Sequence, residues 1–310
     1  MATIASIADK VACGGAIEAN TGKLGCLSLF GYPEHLLAVK KGTVIASSDS
    51  FDIAYLTPLI QAGTIIPLIG ASSFEDVSAE DTYSTNSSGV KRLNLKGLPE
   101  YKLMYEEGHE FYRELAKLEG YKNFDFIIGD DEGNWMLSTN SDGSYSGFTA
   151  GHSTPELTKR KVAGGDAESK SFVVQFLDRL EWDRNYAILH QDELDFSPSD
   201  VPAVNGVVLE FDVVPTNADT TIVVSAKLSG DNSTNVEGLL VANFIYKVDG
   251  ATVVPSLVAE VNGVYTLTVA ALSTSEVLTL DLWDGSLNLG VTTLSGVLYR
   301  SDEITATVIV

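Results

Sequence analysis

The sequence predicts a mainly β protein: a β-sandwich or barrel with one flanking helix, followed by an immunoglobulin-like β-sandwich. Three observations predict this. Only one stretch, about residues 103–119, sustains helical spacing, with Met104, Gly108, Phe111, Leu115 and Leu118 on one face. Around it, short runs rich in Val, Ile and Phe alternate between turn residues. From Gly206 onward helix signals vanish, and Gly230-Asp231-Asn232, Asp249-Gly250, Asn262-Gly263 and Asp284-Gly285 punctuate a Val-, Leu- and Thr-rich sequence.

Taken in order, residues 1–25 are small and Gly/Ala-rich, and predict an arm that lies on a neighbour. A first domain spans 26–200. Leu24–Phe30 reads as a strand and Leu36–Ile45 as a hairpin-like excursion broken by Lys40-Lys41-Gly42. Ser47-Ser48-Asp49-Ser50 offers a cap for a short helix over Phe51–Gln61, which Pro58 kinks or ends. Pro67 places Thr64–Ile69 at a sheet edge or in a connection. Ser72–Gly89 is acidic and polar and predicts a long exposed loop, followed by a strand over Val90–Leu95.

The helix over 103–119 stops at Gly120. Phe124–Ile128 and Asn134–Thr139 predict strands around the turn Gly129-Asp130-Asp131-Glu132-Gly133, and Asn140-Ser141-Asp142-Gly143 leads into a strand from Tyr145 to about Thr158. Ser171–Trp182 predicts another, with Phe172, Val174 and Phe176 on one face. Residues 191–205, with Pro198 and Pro202, read as a linker to the second sandwich over 206–310.

Charge and composition narrow the function. Of 310 residues, 42 are acidic and 20 basic, a net charge of −22, which opposes a grip on nucleic-acid phosphates. Twelve acidic and three basic residues lie from Gly206 to Val310. The acidity serves either solubility alone or a surface along which a polyanion must not stick. Cys13 and Cys26 read as free buried thiols, since two cysteines make no disulfide framework. Neither a signal peptide nor an apolar run long enough to span a bilayer is legible, so a soluble protein made in a cytoplasm is expected. Asn86-Ser87-Ser88 and Asn232-Ser233-Thr234 match the glycan-acceptor pattern by chance on that reading.

Reactive signatures are missing. Asp130-Asp131-Glu132 lacks the alternating oxygen ligands of a calcium loop and predicts an acidic hairpin tip exposed to water, or a tip lining an assembly surface. His35, His109, His152 and His190 are dispersed, and His109 does not reproduce an HExxH zinc pattern. There is no GxSxG elbow, and Gly14-Gly15 and Gly164-Gly165 lack the GK[ST] ending of a phosphate loop. Tyr101, Tyr105, Tyr112 and Tyr121 read as core edges or subunit contacts, with a carbohydrate platform as the competing role. No catalytic, metal or cofactor residues are expected, and no enzyme.

Gly108–Leu115, Asp130-Asp131-Glu132-Gly133-Asn134-Trp135, Ser141-Asp142-Gly143, Gly147-Phe148-Thr149-Ala150-Gly151 and Asp166–Lys170 with the Phe172–Trp182 run resemble tail-tube-like virion structural proteins of tailed phages of Bacteroidetes-type hosts. The resemblance covers roughly residues 20–195. It implies a sandwich flanked by one helix, assembled as homo-oligomeric rings, commonly hexamers, that stack into a hollow tube in the virion. Other virion proteins are the implied partners, DNA passes without specific binding, and no membrane insertion is involved. An arm and a long loop bridge rings in such proteins; residues 1–25 and 72–89, with Glu75, Asp76, Glu80 and Asp81, are the counterparts here. Asp130, Asp131 and Glu132 are candidates for the lumen or an interface, and Asp130→Asn with Asp131→Asn is expected to leave assembly intact. The second sandwich resembles immunoglobulin-like decorations of virions, which leaves a neck-ring or head-decoration role as the alternative. A carbohydrate-binding or adhesion module is the alternative from another class.

Overall fold

The computed structural model describes residues 3–10, 30–156, 169–230, 233–285 and 290–310. Cys13, Cys26, Gly14-Gly15, nearly all of the strand expected over Leu24–Phe30, Lys159-Arg160-Lys161, Gly164-Gly165, Asp166, Asn232 and most of the expected arm lie outside them. The chain divides into two compact units, Met1–Val201 and Pro202–Val310. Both are built mainly of strands with few helices.

Among the described residues of the first unit, twelve strands form one continuous hydrogen-bonded sheet that folds into two layers. The first layer is centred on Phe124–Asp130, which pairs with Pro33–Lys40, Trp135–Thr139 and the start of Phe148–Pro155. The second runs from Phe148–Pro155 through Lys170–Phe176 and Glu100–Tyr105 to Ser73–Asp76 at the edge. Phe148–Pro155 thus belongs to both layers. Its register shifts between Ala150 and His152, and that bulge turns the corner.

Strand alternation sorts the side chains. Leu36, Ala38, Phe126, Ile128, Met136 and Ile188 face Leu103, Tyr105, Phe172, Val174 and Phe176 in one core. The opposite face of the first layer is buried as well: Leu37, Val39, Ile127, Trp135, Leu137 and Leu189 are nearly inaccessible. Phe51 covers it, its ring 6.1 Å from Trp135 and 6.0 Å from Phe196.

Several expectations are corrected here. Four α-helices are present among the described residues, α1 (Ile4–Ile7), α2 (Ile53–Gln61), α3 (His109–Ala116) and α4 (Arg179–Asp183), two of them, α2 and α3, where helices were expected. The helix expected over 103–119 is α3 alone, because Leu103 and Tyr105 alternate inward on a strand and Met104 goes with them. Gly120 is in a short strand, and the left-handed residue is Lys122 at φ 57°. α2 is capped by Asp52, whose carboxylate accepts from Tyr55 N at 2.7 Å; Pro58 sits inside it. Residues 3–10 are no free arm: Ile4 is fully buried and Ala8–Lys10 pairs with Tyr186–Leu189. The strand expected to run to Trp182 ends at Phe176, because Asp178 caps α4 by accepting from Leu180 N at 2.8 Å. The 191–205 stretch is anchored: Gln191 N donates to Asn134 Oδ1 at 3.0 Å, and Phe196 is buried.

The second unit is a sandwich with immunoglobulin-like strand order. One sheet runs Leu257–Val261, Val264–Thr268, Thr221–Leu228, Val204–Phe211; the other runs Ala251–Val253, Phe244–Val248, Val277–Leu282, Ile304–Thr307. A hairpin, Thr292–Leu294 with Val297–Ser301, is inserted before the last strand and laid parallel on Val204–Val207. Val207, Leu209, Val224, Tyr265 and Leu267 meet Phe244, Tyr246, Leu278, Leu280 and Leu282 in one core. Asp249-Gly250 and Asn262-Gly263 carry paired positive φ values (48° and 80°, 50° and 73°), which the primed hairpin turns require.

Candidate functional site

The acidic turn is an exposed tip only in part: Asp131 and Glu132 are exposed and Asp130 is not. Asp130 is fully buried at the end of its strand. Its Oδ1 accepts from Asn134 N at 2.7 Å and Glu132 N at 3.1 Å, and its Oδ2 accepts from Gly31 N at 2.7 Å and Asn134 Nδ2 at 2.8 Å. Asp131 is exposed, yet its Oδ1 accepts from Tyr32 N at 2.8 Å. The pair of aspartates therefore pins the 31–32 backbone to the turn, and Glu132 is left as the acid that projects into solvent. A buried carboxyl group that accepts from four donors is an anchor of this turn.

The segment over 72–89 is likewise not a loop. Ser73–Asp76 is an edge strand, with Glu75 and Asp76 exposed. After a short connection holding Glu80 and Asp81, Thr82–Thr85 pairs with Lys91–Leu95, the strand that was expected over 90–95. The two form a sheet by themselves, and every residue of it is exposed. Its turn is built by Asn86, whose Oδ1 accepts from Ser88 N at 3.1 Å and Val90 N at 2.9 Å. The register places Tyr83 opposite Leu93, so these two share one face; it shifts between Thr82 and Tyr83, which leaves Leu95 opposite Thr82. Tyr83, Leu93 and Leu95 are 56%, 45% and 67% exposed.

The base of this hairpin is locked. Gly97 N donates to Asp81 Oδ1 at 2.8 Å, and Arg179 Nη1 donates to Gly97 O at 2.7 Å from α4. A Cβ on Gly97 would lie 1.6 Å from Ala79 O, so the two backbones cross where only glycine fits. Asp81, expected as a loop acid, is thus a structural clamp. Glu75, Asp76 and Glu80 are the surface acids of that group.

An isolated two-stranded hairpin is marginally stable in water. This one is held rigid at its base and offers an apolar face to solvent, a combination that fits docking against another surface. The four predicted tyrosines do not converge on a platform: Tyr105 and Tyr112 are buried, Tyr101 is half-buried and Tyr121 is exposed. Among the described residues no group of three or more His, Cys, Asp or Glu could hold a metal ion. His35 is buried and accepts from Gly70 N through Nδ1 at 3.0 Å. No helix among the described residues is long and apolar enough to cross a membrane. The chain matches no protein-family model and no curated protein.

What the sequence concealed was the first strand of the hairpin, and with it the pairing. A strand with no buried face and no apolar alternation, as over Thr82–Thr85, carries no period to read. The signals that were available are Asn86 with Gly89, a turn pair, and the alternating Leu93 and Leu95.

Proposed function

We propose that the protein is a self-assembling virion structural protein of the tail-tube type, its copies joined into rings that stack around a passage for DNA. The observation that carries this reading is the hairpin Thr82–Leu95, with a locked base and with Tyr83, Leu93 and Leu95 exposed on it. In an assembly these apolar side chains are buried on a neighbouring copy, at roughly 25 cal/mol per Å² of apolar surface. Exposed Glu132, Glu75 and Glu80 and the net charge of −22 suit a wall along which phosphates slide without adhering. Negative-stain imaging and native mass spectrometry of the purified chain test it. Stacked rings or tubes are expected, lost when Tyr83, Leu93 and Leu95 are changed together to Ser while circular dichroism is unchanged. Single rings that never stack indicate the neck-ring role instead, and a monodisperse monomer at high concentration refutes self-assembly.

A further inference from the structure

A cavity of about 360 Å³ opens in the first unit between its two layers, on the side of the Ser73–Asp76 edge strand. Phe74, Tyr101 and Trp182 form its aromatic walls. The Tyr101 ring lies 4.8 Å from Phe74 at 88° and 5.0 Å from Trp182 at 73°, so two rings stand nearly upright on the third. Met136 and Ile188 supply apolar floor from the facing layer, and Asp76 stands at the rim. Asp76 lies close enough to Tyr101 that, after burial, its negative charge helps push the phenol up to about 12. No lysine or arginine lines the cavity among the described residues, and the carboxylate is exposed, accepting from Ser78 N at 3.0 Å.

We propose that this cavity receives an arginine side chain from a protein partner. Trp182 is stacked on Phe148, 4.7 Å away at 29°, and the π density of the rings that border the cavity favours a cation there. A guanidinium suits such walls better than an ammonium, since it is planar, weakly hydrated and able to stack while its fork donates to the Asp76 carboxylate. Met136 and Ile188 match the methylene stem behind it. The occupant enters as a side chain and not as an added strand, because the outward backbone groups of Phe74 are already taken by Tyr32 Oη. The acidic surface of the chain favours approach of a basic partner.

The test uses the full chain and a pentapeptide with a central arginine, titrated while the three indole N–H resonances are followed. A saturable shift confined to the Trp182 resonance is expected. The same peptide with citrulline binds at least about tenfold more weakly, as does the arginine peptide to Asp76→Asn. Unmoved Trp135 and Trp283 resonances in that variant show that its fold is intact. A Trp182 shift that grows with protein concentration alone and disappears in Asp76→Asn identifies a second copy as the partner and supports the site. No saturable shift, equal binding of the citrulline peptide, or tighter binding of a lysine peptide overturns the proposal. None of these outcomes depends on whether the protein forms rings.

Discussion

The hydroxyl of Tyr32 holds Phe74 by both of its backbone groups: it donates to the carbonyl at 2.5 Å and accepts from the amide at 2.8 Å. Phe74 lies on an edge strand whose other side pairs with Glu100–Tyr105. Edge strands left open recruit other chains, and one phenol here takes the place of a missing strand at that residue. The Tyr32 ring also meets Phe74 edge-on at 5.1 Å. Tyr32→Phe keeps the ring and removes both hydrogen bonds. We expect amide exchange at Phe74 to speed up by about tenfold, corresponding to ~1–2 kcal/mol, with little change in the central strands. Unchanged protection at Phe74 would show that the edge is held by ring packing alone.

Asp130 offers a second test. Replacing it by Asn turns an amide NH₂ toward donors that need an acceptor, while Glu132 nearby tolerates Gln. Asp130→Asn should lower stability by ~2–4 kcal/mol, and Glu132→Gln by less than ~0.5 kcal/mol. Urea unfolding of the first unit, followed by tryptophan emission in a Trp283→Phe background, measures both. Equal midpoints for the two variants would contradict the anchoring role.

Protonation of His35 should destabilise the first unit. Burial lowers its pKa from 6.5, opposed by the charges of Glu34, Asp130 and Asp131, and Nδ1 must stay unprotonated to accept from Gly70 N. The folded value lies below the unfolded one, so the unfolded chain binds the proton first as pH falls. The stabilisation is therefore complete above about 6.5 and is lost as pH falls through the folded value. Glu181, half-buried and hydrogen-bonded to Thr149, is shifted upward by desolvation and acts in the opposite sense. Thermal unfolding between pH 8 and 5 should show a steeper fall for the native chain than for His35→Asn. Parallel curves would remove His35 as the cause.

Gly97→Ala forces a methyl group against Ala79 O and should spring the hairpin base. Brief trypsin treatment reads this out at Lys91 and Arg92, which should be cut several-fold faster than in the native chain, with a stability loss of ~2–4 kcal/mol. Asp81→Ala removes the acceptor for Gly97 N without a clash and should give a smaller acceleration in the same place. If neither variant changes cleavage, the clamp has no mechanical role.

The parts of the fold that were legible are those where one face is buried and the other is not. Phe172, Val174 and Phe176 alternate and are fully buried, and Asp249-Gly250 and Asn262-Gly263 mark hairpins because few other residues accept positive φ. Met104 misled because a strand residue can fall into helical step with a helix that begins only at His109. The acidic turn misled for a different reason: Asp130 and Glu132 are chemically alike and two residues apart, yet only the former meets the 31–32 backbone, a contact across 99 positions. The second cover, from Phe51 and Phe196 over Trp135, joins three distant stretches and has no local signature. Of the hairpin that carries the functional reading, Lys91–Leu95 was legible as a strand, while its partner was hidden as polar sequence.

The strand shared by both layers of the first unit has a mechanical consequence. Phe148–Pro155 is laced to one layer at its start and to the other beyond the bulge, so the layers cannot slide past one another without tearing its ladder. A push delivered at the hairpin passes through Arg179 to α4, and Glu181 of that helix grips Thr149 on the same strand at 2.7 Å. Load applied at the tip is thereby delivered to the strand that ties the two layers together.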